Sequence, residues 1–300
     1  MPSLQTERLK VRSVQLYSRR DEFNRCAHHT AHYDSEELLV RRGQPFQVQL
    51  NFNRPYEPSK DAIILVLDIG KRPDTCKGTR IFIKLVESLE DVAWGACVVN
   101  ASGYSLTLMV KTSSSCIVGR FSFYIFTHSP GGNYKSKKVP LYILFNPWCR
   151  EDQVYMKGEA EKEEYVLNDH GLIFYGTSSD IISRSWIYGQ FEKDVLDACL
   201  YILEHGKCAL CERGNPIMVV RTIAAVVNAN DDAGVLVGKW SDEDDYTGGL
   251  APTMWDGSVN ILRQFNRKCK PVCYAQCWVF SGTTTAGNDH AFHPETYSCV

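Results

Sequence analysis

Residues 46–52 read Phe46-Gln-Val-Gln-Leu-Asn-Phe52, a strict alternation of apolar and polar side chains. A period of two places the apolar members on one face of a β-strand and the polar members on the other. The same alternation returns in three further runs, at residues 81–85, 106–110 and 121–125. This repetition is typical of a sheet with one buried face.

Turn-forming residues separate these runs and keep each strand short. They are the types that accommodate tight backbone bends, in Asn53-Arg-Pro55, Asn100-Ala-Ser-Gly103 and Ser129-Pro-Gly-Gly-Asn133. Several short strands at this spacing predict an antiparallel β-sandwich of immunoglobulin-like size. Asn146-Pro147 closes the pattern, so we assign residues 1–145 to this domain.

Helical periodicity replaces the alternation in the second half of the chain. Apolar residues recur at spacings of three and four over residues 190–203, which predicts a helix. Asn215-Pro216 predicts a second helix start, and Ser258 a third. Helices after a β domain indicate an α+β domain, which we assign to residues 146–286. Residues 287–300 are polar and unpatterned, and we expect a divergent, disordered tail there.

The composition excludes several classes of partner. The chain is 44% hydrophobic with a net charge of -2, so no overall field attracts nucleic acid or an anionic membrane. Residues 1–20 lack the apolar core of a secretory signal, and no apolar run is long enough for a transmembrane segment. With 12 cysteines and no export signal, we expect reduced thiols and a cytoplasmic location. The sequence indicates no oligomeric state.

The segment Pro271-Val-Cys-Tyr-Ala-Gln-Cys-Trp-Val-Phe-Ser-Gly282 contains the candidate nucleophile. Pro271 disfavours helix at the preceding residue, and an apolar stretch begins at Trp278, so we expect a helix to start near Gln276. Cys277 then lies in the first turn, where backbone N–H groups and the helix dipole stabilise a thiolate and an acyl oxyanion. Position alone does not separate a catalytic thiol from an ordinary buried cysteine, and both interpretations stay open.

The same segment resembles a known family. Tyr274-Ala-Gln-Cys-Trp-Val-Phe280 is similar to the Tyr-Gly-Gln-Cys-Trp-Val-Phe signature around the nucleophile of animal transglutaminases. Further stretches agree with the family in order and spacing: Val40-Arg-Arg-Gly-Gln-Pro-Phe46, Tyr142-Ile-Leu-Phe-Asn-Pro-Trp-Cys149, Tyr188-Gly-Gln-Phe-Glu192, Asn228-Ala-Asn-Asp-Asp232 and Gly257-Ser-Val-Asn-Ile-Leu262. The resemblance covers about residues 10–286 and is nearest to the keratinocyte and factor XIII A-subunit types.

The resemblance implies a β-sandwich followed by a papain-like core that performs acyl transfer. In the family, the cysteine thiolate attacks the γ-carboxamide of a protein-bound glutamine and releases ammonia. The resulting thioester then acylates a lysine, a polyamine or water, and the usual product is an isopeptide cross-link. By this resemblance Cys277 is the nucleophile, and the indole N–H of Trp240 helps to bind the oxyanion.

Calcium is the cofactor that the resemblance implies. The run from Asn228 to Asp232 is rich in the hard oxygen donors that Ca²⁺ prefers, although Asn, Asp and Gly also favour an ordinary turn. The spacing is not that of an EF-hand. By resemblance, the carbonyl groups of Ala225 and Asn230 and the side chains of Asn228 and Asp232 match a family calcium site.

The sequence departs from the family in three places. Ala275 replaces a glycine, which would strain the backbone if this position requires a positive φ. The family's catalytic histidine and aspartate follow the cysteine in motifs that this sequence lacks, and His290 and His293 lie in no matching context. The match ends after Ala286, so the resemblance implies a catalytic core that is truncated, and we expect little activity from such a product alone.

Two other functions stay open. The first is a non-catalytic calcium- or protein-binding relative, and the second is a papain-like thiol protease. The retained Cys277 favours the enzyme over the first, and the Asn-Asp run together with Trp240 favours it over the second. Two motifs are left unused: Cys208-Ala-Leu-Cys211 lacks a second pair of zinc ligands, and His28-His-Thr-Ala-His32 is interpreted as a surface loop.

Overall fold

The structure is a computed structural model that describes residues 7–177, 179–232, 234–241 and 245–288; the side chains of Asp231, Asp232 and Asn288 are not described. The chain divides into two compact units, the first ending at Tyr155 and the second beginning at Met156. Within the described ranges, every helix is too short or too polar to cross a membrane.

Two β-sheets make up most of the first unit. Its described elements are β1 Val11–Gln15, α1 Phe23–Ala27, β2 Leu38–Arg41, β3 Phe46–Phe52, β4 Ala62–Asp68, β5 Arg80–Lys84, β6 Gly95–Ser102, β7 Ser105–Lys111, β8 Gly119–His128, β9 Tyr134–Lys135 and β10 Val139–Leu144. One sheet has the order β1-β3-β7-β6, and the other has the order β2-β10-β8-β4-β5, with β9 paired to β8. The β2–β10 pair is parallel, whereas the other pairs are antiparallel.

The predicted alternation determines which face of each strand is buried. Phe46, Val48 and Leu50 of β3 are fully buried, and Val48 lies opposite the equally buried Leu108 of β7. The intervening polar residues of β3 are half-buried. Each such apolar side chain contributes about 1.5–3 kcal/mol to the stability of the folded state when it is removed from water. The alternation in this part of the sequence is confirmed.

Residues 146–155 group with the first unit, beyond the end predicted at residue 145. The physical reason is a buried ion pair, in which Nε and Nη2 of Arg42 each donate to a carboxylate oxygen of Asp152 at 2.6 Å. Both side chains are fully buried. Asp152 also accepts from the backbone N–H of Asn146 at 2.9 Å. Charges buried this deeply need such complete pairing, so the pair ties the segment to the first unit.

The second unit mixes helices and strands. Its described elements are α2 Glu159–Lys162, β11 His170–Thr177, β12 Asp180–Ile187, α3 Val195–His205, α4 Pro216–Val226, α5 Ala229–Asp232, β13 Leu236–Gly238, α6 Val259–Lys268, β14 Val272–Ala275 and α7 Cys277–Asn288. Strands β11 and β12 form an antiparallel hairpin. Strands β13 and β14 pair in parallel.

The predicted helix starts have different outcomes. Asn215 caps α4 as predicted, since its Oδ1 accepts from the N–H of Ile217 at 3.0 Å. The helix predicted over residues 190–203 begins only at Val195, because Asp194 adopts a left-handed conformation with φ 67°. Helix α7 continues to Asn288, so it includes the first two residues of the predicted tail. The rest of that tail, residues 289–300, lies outside the described residues.

Candidate active site

Cys277 is the first residue of α7, and its side chain is exposed. Strand β14 ends at Ala275, and the carbonyl of Gln276 accepts from the N–H groups of Val279 at 2.9 Å and Phe280 at 3.1 Å. These bonds turn the strand directly into the helix. The N–H groups of a first turn have no intrahelical acceptor, so they remain able to bind an anion. The predicted helix start at the candidate nucleophile is confirmed.

A buried chain of hydrogen bonds fixes the position of α7. Nε1 of Trp186 donates to Oγ of Ser258 at 2.9 Å, and this hydroxyl donates to the carbonyl of Gly282 at 2.9 Å. Trp186 and Ser258 are fully buried. A Cβ at Gly282 would lie 2.3 Å from Nε1 of Trp186, so glycine alone lets the helix approach this closely. Ser258 therefore holds α7 in place, and its hydroxyl does not cap α6.

The backbone next to Trp240 is bonded to the two residues that precede Cys277. The N–H of Lys239 donates to the carbonyl of Ala275 at 3.0 Å. Nε2 of Gln276 donates to the carbonyl of Lys239 at 3.0 Å. Parallel pairing of β13 with β14 brings these segments together although they are far apart in sequence.

The indole of Trp240 lies against α7. It stacks on Phe280 with ring centroids 5.9 Å apart and an interplanar angle of 5°. Phe280 lies about one helical turn after Cys277. A Cβ at Gly238 would lie 2.1 Å from Cζ3 of Trp240, so this glycine makes room for the ring. The sequence did not reveal the roles of Phe280 and Gly238.

Ala275 causes no strain of the kind that the sequence suggested. It lies in β14, is fully buried and does not have a positive φ. A methyl group at this position is therefore compatible with the strand.

The calcium ligands that the resemblance implies lie at the end of α4 and in α5. Ala225 belongs to the last turn of α4, where carbonyl groups lack intrahelical partners and the helix dipole favours a cation. Oδ1 of Asn228, an amide oxygen of the kind that Ca²⁺ accepts as a ligand, also accepts from the N–H of Asn230 at 3.0 Å. These oxygens fit a Ca²⁺ ion chemically, although the side chain of Asp232 lies outside the described residues.

The described side chains contain no cluster of three or more His, Cys, Asp or Glu residues. A site built from amide and carbonyl oxygens would not form such a cluster. His290 and His293, which the sequence left without a role, lie outside the described residues.

Relatives with known names match most of the chain. A family model described as the transglutaminase family matches residues 12–128. The chain is 47% identical over 279 residues to the coagulation factor XIII A chain of Homo sapiens, covering 92% of this chain and 38% of that protein. It is 48% identical over 280 residues to the protein-glutamine gamma-glutamyltransferase K of Homo sapiens, covering 92% of this chain and 34% of that protein.

A solved structure agrees with these relatives. The crystal structure of red sea bream transglutaminase has a TM-score of 0.81 and 35% sequence identity to this chain, covering 94% of this chain and 42% of that protein. The chain thus spans less than half the length of the curated relatives that it matches. Its Cys277 segment, its shared fold and its sequence identity to named relatives together place this chain in the transglutaminase family.

Proposed function

We propose protein-glutamine γ-glutamyl transfer as the reaction of this chain, with Cys277 as the nucleophile and with little activity from this chain alone. One observation carries the proposal: an exposed thiol begins a helix, and an indole stacks on Phe280 of the same helix. The relatives named as glutamyltransferases support the reaction type. The acyl donors are glutamine side chains of proteins, and the acceptors are lysine or polyamine amines.

The proposed reaction has two steps. The sulfur of Cys277 adds to the γ-carboxamide carbon of glutamine, and the resulting oxyanion accepts hydrogen bonds from the Cys277 N–H and the Trp240 indole N–H. The C–N bond then breaks, ammonia leaves with the thiol proton, and a thioester remains. In the second step an amine adds to the thioester carbon, the C–S bond breaks, and the proton returns to sulfur. The products are an isopeptide and the free thiol.

The proposal extends to the fold and the cofactor. The two sheets of the first unit would form the immunoglobulin-like β-sandwich, and the second unit would be part of a papain-like α+β core. Calcium would be held by the oxygens of Ala225, Asn228, Asn230 and Asp232, and its charge would order the end of α4. We propose a cytoplasmic location on the basis of the reduced thiols.

The test is calcium-dependent release of ammonia from a glutamine peptide, combined with mass spectrometry of the peptide that contains Cys277. We expect a thioester on Cys277, and we expect Cys277→Ser to abolish it. Cys269→Ser is the matched control, because Cys269 is also exposed but lies before the helix. Asn228→Ala should raise the calcium concentration that is needed for half-maximal release of ammonia. An acyl group on another cysteine, with none on Cys277, would contradict the proposal.

A further inference from the structure

The ammonium group of Lys239 lies against two tyrosine rings beside the candidate nucleophile. Its Nζ is 4.7 Å from the ring centroid of Tyr246 and 5.3 Å from that of Tyr274. Both distances fall within the range of a favourable cation–π contact. The two rings are themselves 6.1 Å apart. The ammonium group of Lys239 therefore bridges the ring of Tyr246, which follows β13, and the ring of Tyr274, which lies in β14.

Hydrogen bonds attach Tyr274 firmly to the surrounding backbone. The hydroxyl of Tyr274 donates to the carbonyl of Thr247 at 3.0 Å, and Nε1 of Trp255 donates to the carbonyl of Tyr274 at 2.9 Å. The N–H of Leu250 donates to the carbonyl of Cys273 at 3.0 Å, and the N–H of Tyr274 donates to the carbonyl of Leu250 at 3.0 Å. The Tyr274 ring thus forms a fixed support for the ammonium group.

Among the residues that the structure describes, the rings of Tyr246 and Tyr274 lie within cation–π range of this cation. The carboxylate of Asp245 lies nearby, but it accepts a hydrogen bond from the N–H of Thr247 at 2.9 Å. The hydrogen bonds from Thr247 are the largest cause of the lowered pKa of Asp245, and the charge of Lys239 is the smallest. Replacing the ammonium would therefore affect the two rings more than the carboxylate.

Lys239 immediately precedes Trp240, whose side chain is 61% exposed. Burial alone does little to fix such an exposed ring, so its position depends on the backbone that carries it. On one side this backbone is bonded to Ala275 and Gln276, as described above. The lysine side chain supplies a restraint in a second direction, through Tyr246 and Tyr274.

We propose that Lys239 is a positioning residue, which holds the Trp240 indole against Phe280 of α7 through its contact with Tyr246 and Tyr274. The catalytic meaning of this role rests on the proposed function, because the indole must bind the acyl oxyanion. The placement of the ring can be tested without that assumption.

The chemical test compares two reactions of the Cys277 thiol in the full chain. With p-nitrophenyl acetate, the sulfur adds to the ester carbonyl, an oxyanion forms, and nitrophenolate leaves as the acetyl thioester is made. With iodoacetamide, the sulfur displaces iodide directly and no oxyanion forms. The thiol proton passes to buffer in both cases. Mass spectrometry of the Cys277 peptide separates this thiol from the other cysteines.

We expect Lys239→Met to slow acetylation of Cys277 by about tenfold, less than the loss of an entire oxyanion donor. Alkylation by iodoacetamide should stay within about twofold, because that reaction does not use the donor. Lys239→Arg, which keeps a cation over the rings, should restore acetylation. Lys270→Met, at an exposed lysine, is the matched control. Equal slowing of both reactions by Lys239→Met would overturn the proposal.

Fluorine NMR of chain labelled with fluorotryptophan gives a readout that is independent of the chemistry. The Trp240 line is identified by its loss in Trp240→Phe. It should shift or broaden in Lys239→Met and return in Lys239→Arg, and an unchanged line in Lys239→Met would overturn the positioning role. The proposed function fails if Cys277 is not acetylated at all, or if Trp240→Phe is acetylated as fast as the original chain. In either case the fluorine line of Trp240 still decides whether Lys239 positions the ring.

Discussion

The two units differ in how completely their side chains are paired and buried. The first unit buries whole charges with partners: Arg42 is paired with Asp152, and the buried Arg25 donates to backbone carbonyl groups. Among described residues, the second unit has more of the exposed large apolar side chains, including Leu172, Phe174, Ile181, Ile182, Ile187, Ile217, Trp240, Leu250 and Met254. It also has more of the buried polar atoms without a partner.

Two of those unpartnered atoms, Nε1 of Trp278 and Oγ1 of Thr283, belong to the helix that begins at Cys277. Unpaired polar groups and exposed apolar surface carry a cost in stability, and proteins concentrate such costs near functional sites. The comparison therefore indicates that the first unit is the more fully paired and buried of the two, and that the second unit carries the unpaired groups near the candidate site. Four measurements can break or sharpen this contrast.

The largest effect is expected from Asp152→Ala in the first unit. The change leaves the buried guanidinium of Arg42 without its carboxylate, and breaking a buried pair from one side costs about 3–5 kcal/mol. Denaturant unfolding, with hydrogen exchange to locate the loss, measures this change. Asp34→Ala is the control, because the Arg20–Asp34 pair is exposed and should contribute less than about 1 kcal/mol. Equal costs for the two variants would remove the contrast between the units.

Acid should destabilise the first unit through His28. This side chain is fully buried, its Nδ1 accepts from the N–H of Arg41 at 2.9 Å, and its Nε2 lies 3.2 Å from the carbonyl of Pro45. Burial lowers the pKa of His28 from 6.5 to about 3. The unfolded chain therefore binds the proton more tightly, so stability is constant above about pH 6.5 and falls as the pH drops towards about 3.

The slope in that window reaches about 1.4 kcal/mol per pH unit for one such group. Unfolding free energies from pH 7 to pH 4 should therefore fall less steeply in His28→Gln than in the original chain. His32→Gln is the control, because His32 is exposed. Parallel curves for His28→Gln and the original chain would contradict the prediction.

Ser258→Ala should cost the second unit about 1–3 kcal/mol, because Nε1 of Trp186 and the carbonyl of Gly282 both lose their partner. The change should also loosen α7, which hydrogen exchange of its backbone can detect. Ser185→Ala, at an exposed position of β12, should be close to neutral. If Ser258→Ala left α7 as protected as before, the hydrogen-bond chain would not be what holds the helix.

The smallest effect is expected from Asn215→Ala at the start of α4. The cap bond to the N–H of Ile217 is lost, at a cost of about 1 kcal/mol. Asn215→Asp retains a capping oxygen and should behave like the original chain. Thermal unfolding of the original chain and of the two variants measures the difference in stability. A loss of stability as large in Asn215→Asp as in Asn215→Ala would exclude capping as the cause.

Local features of the molecule could be predicted from the sequence. The alternation in residues 46–52 determined the buried face of β3, and Asn215 determined where α4 begins, because each depends on neighbouring residues. The helix start at Cys277 followed from Pro271 and the apolar stretch at Trp278 for the same reason. The role of Trp240 as an oxyanion donor came only from the resemblance to known motifs, and it stays a prediction.

Features that depend on contacts between distant segments could not be predicted. The sequence of residues 28–32 predicts a surface loop. This prediction is wrong for His28 and Thr30, since both side chains are fully buried. Their burial depends on Arg41 and on Leu39, whose carbonyl accepts from the Thr30 hydroxyl at 2.9 Å. The sequence also gave no indication that Ser258 would join Trp186 to Gly282, or that Lys239 would meet two tyrosine rings.

The parallel pairing of β13 with β14 has a consequence for the order of folding. Leu236 must find Val272 across a long intervening stretch, and closing so large a loop is entropically slow compared with forming α7. The thiol of Cys277 can therefore occupy a helix start before the Trp240 segment arrives. Under the proposed function, a partly unfolded chain would contain the Cys277 sulfur without the Trp240 indole, so acyl transfer would begin only after this late step was complete.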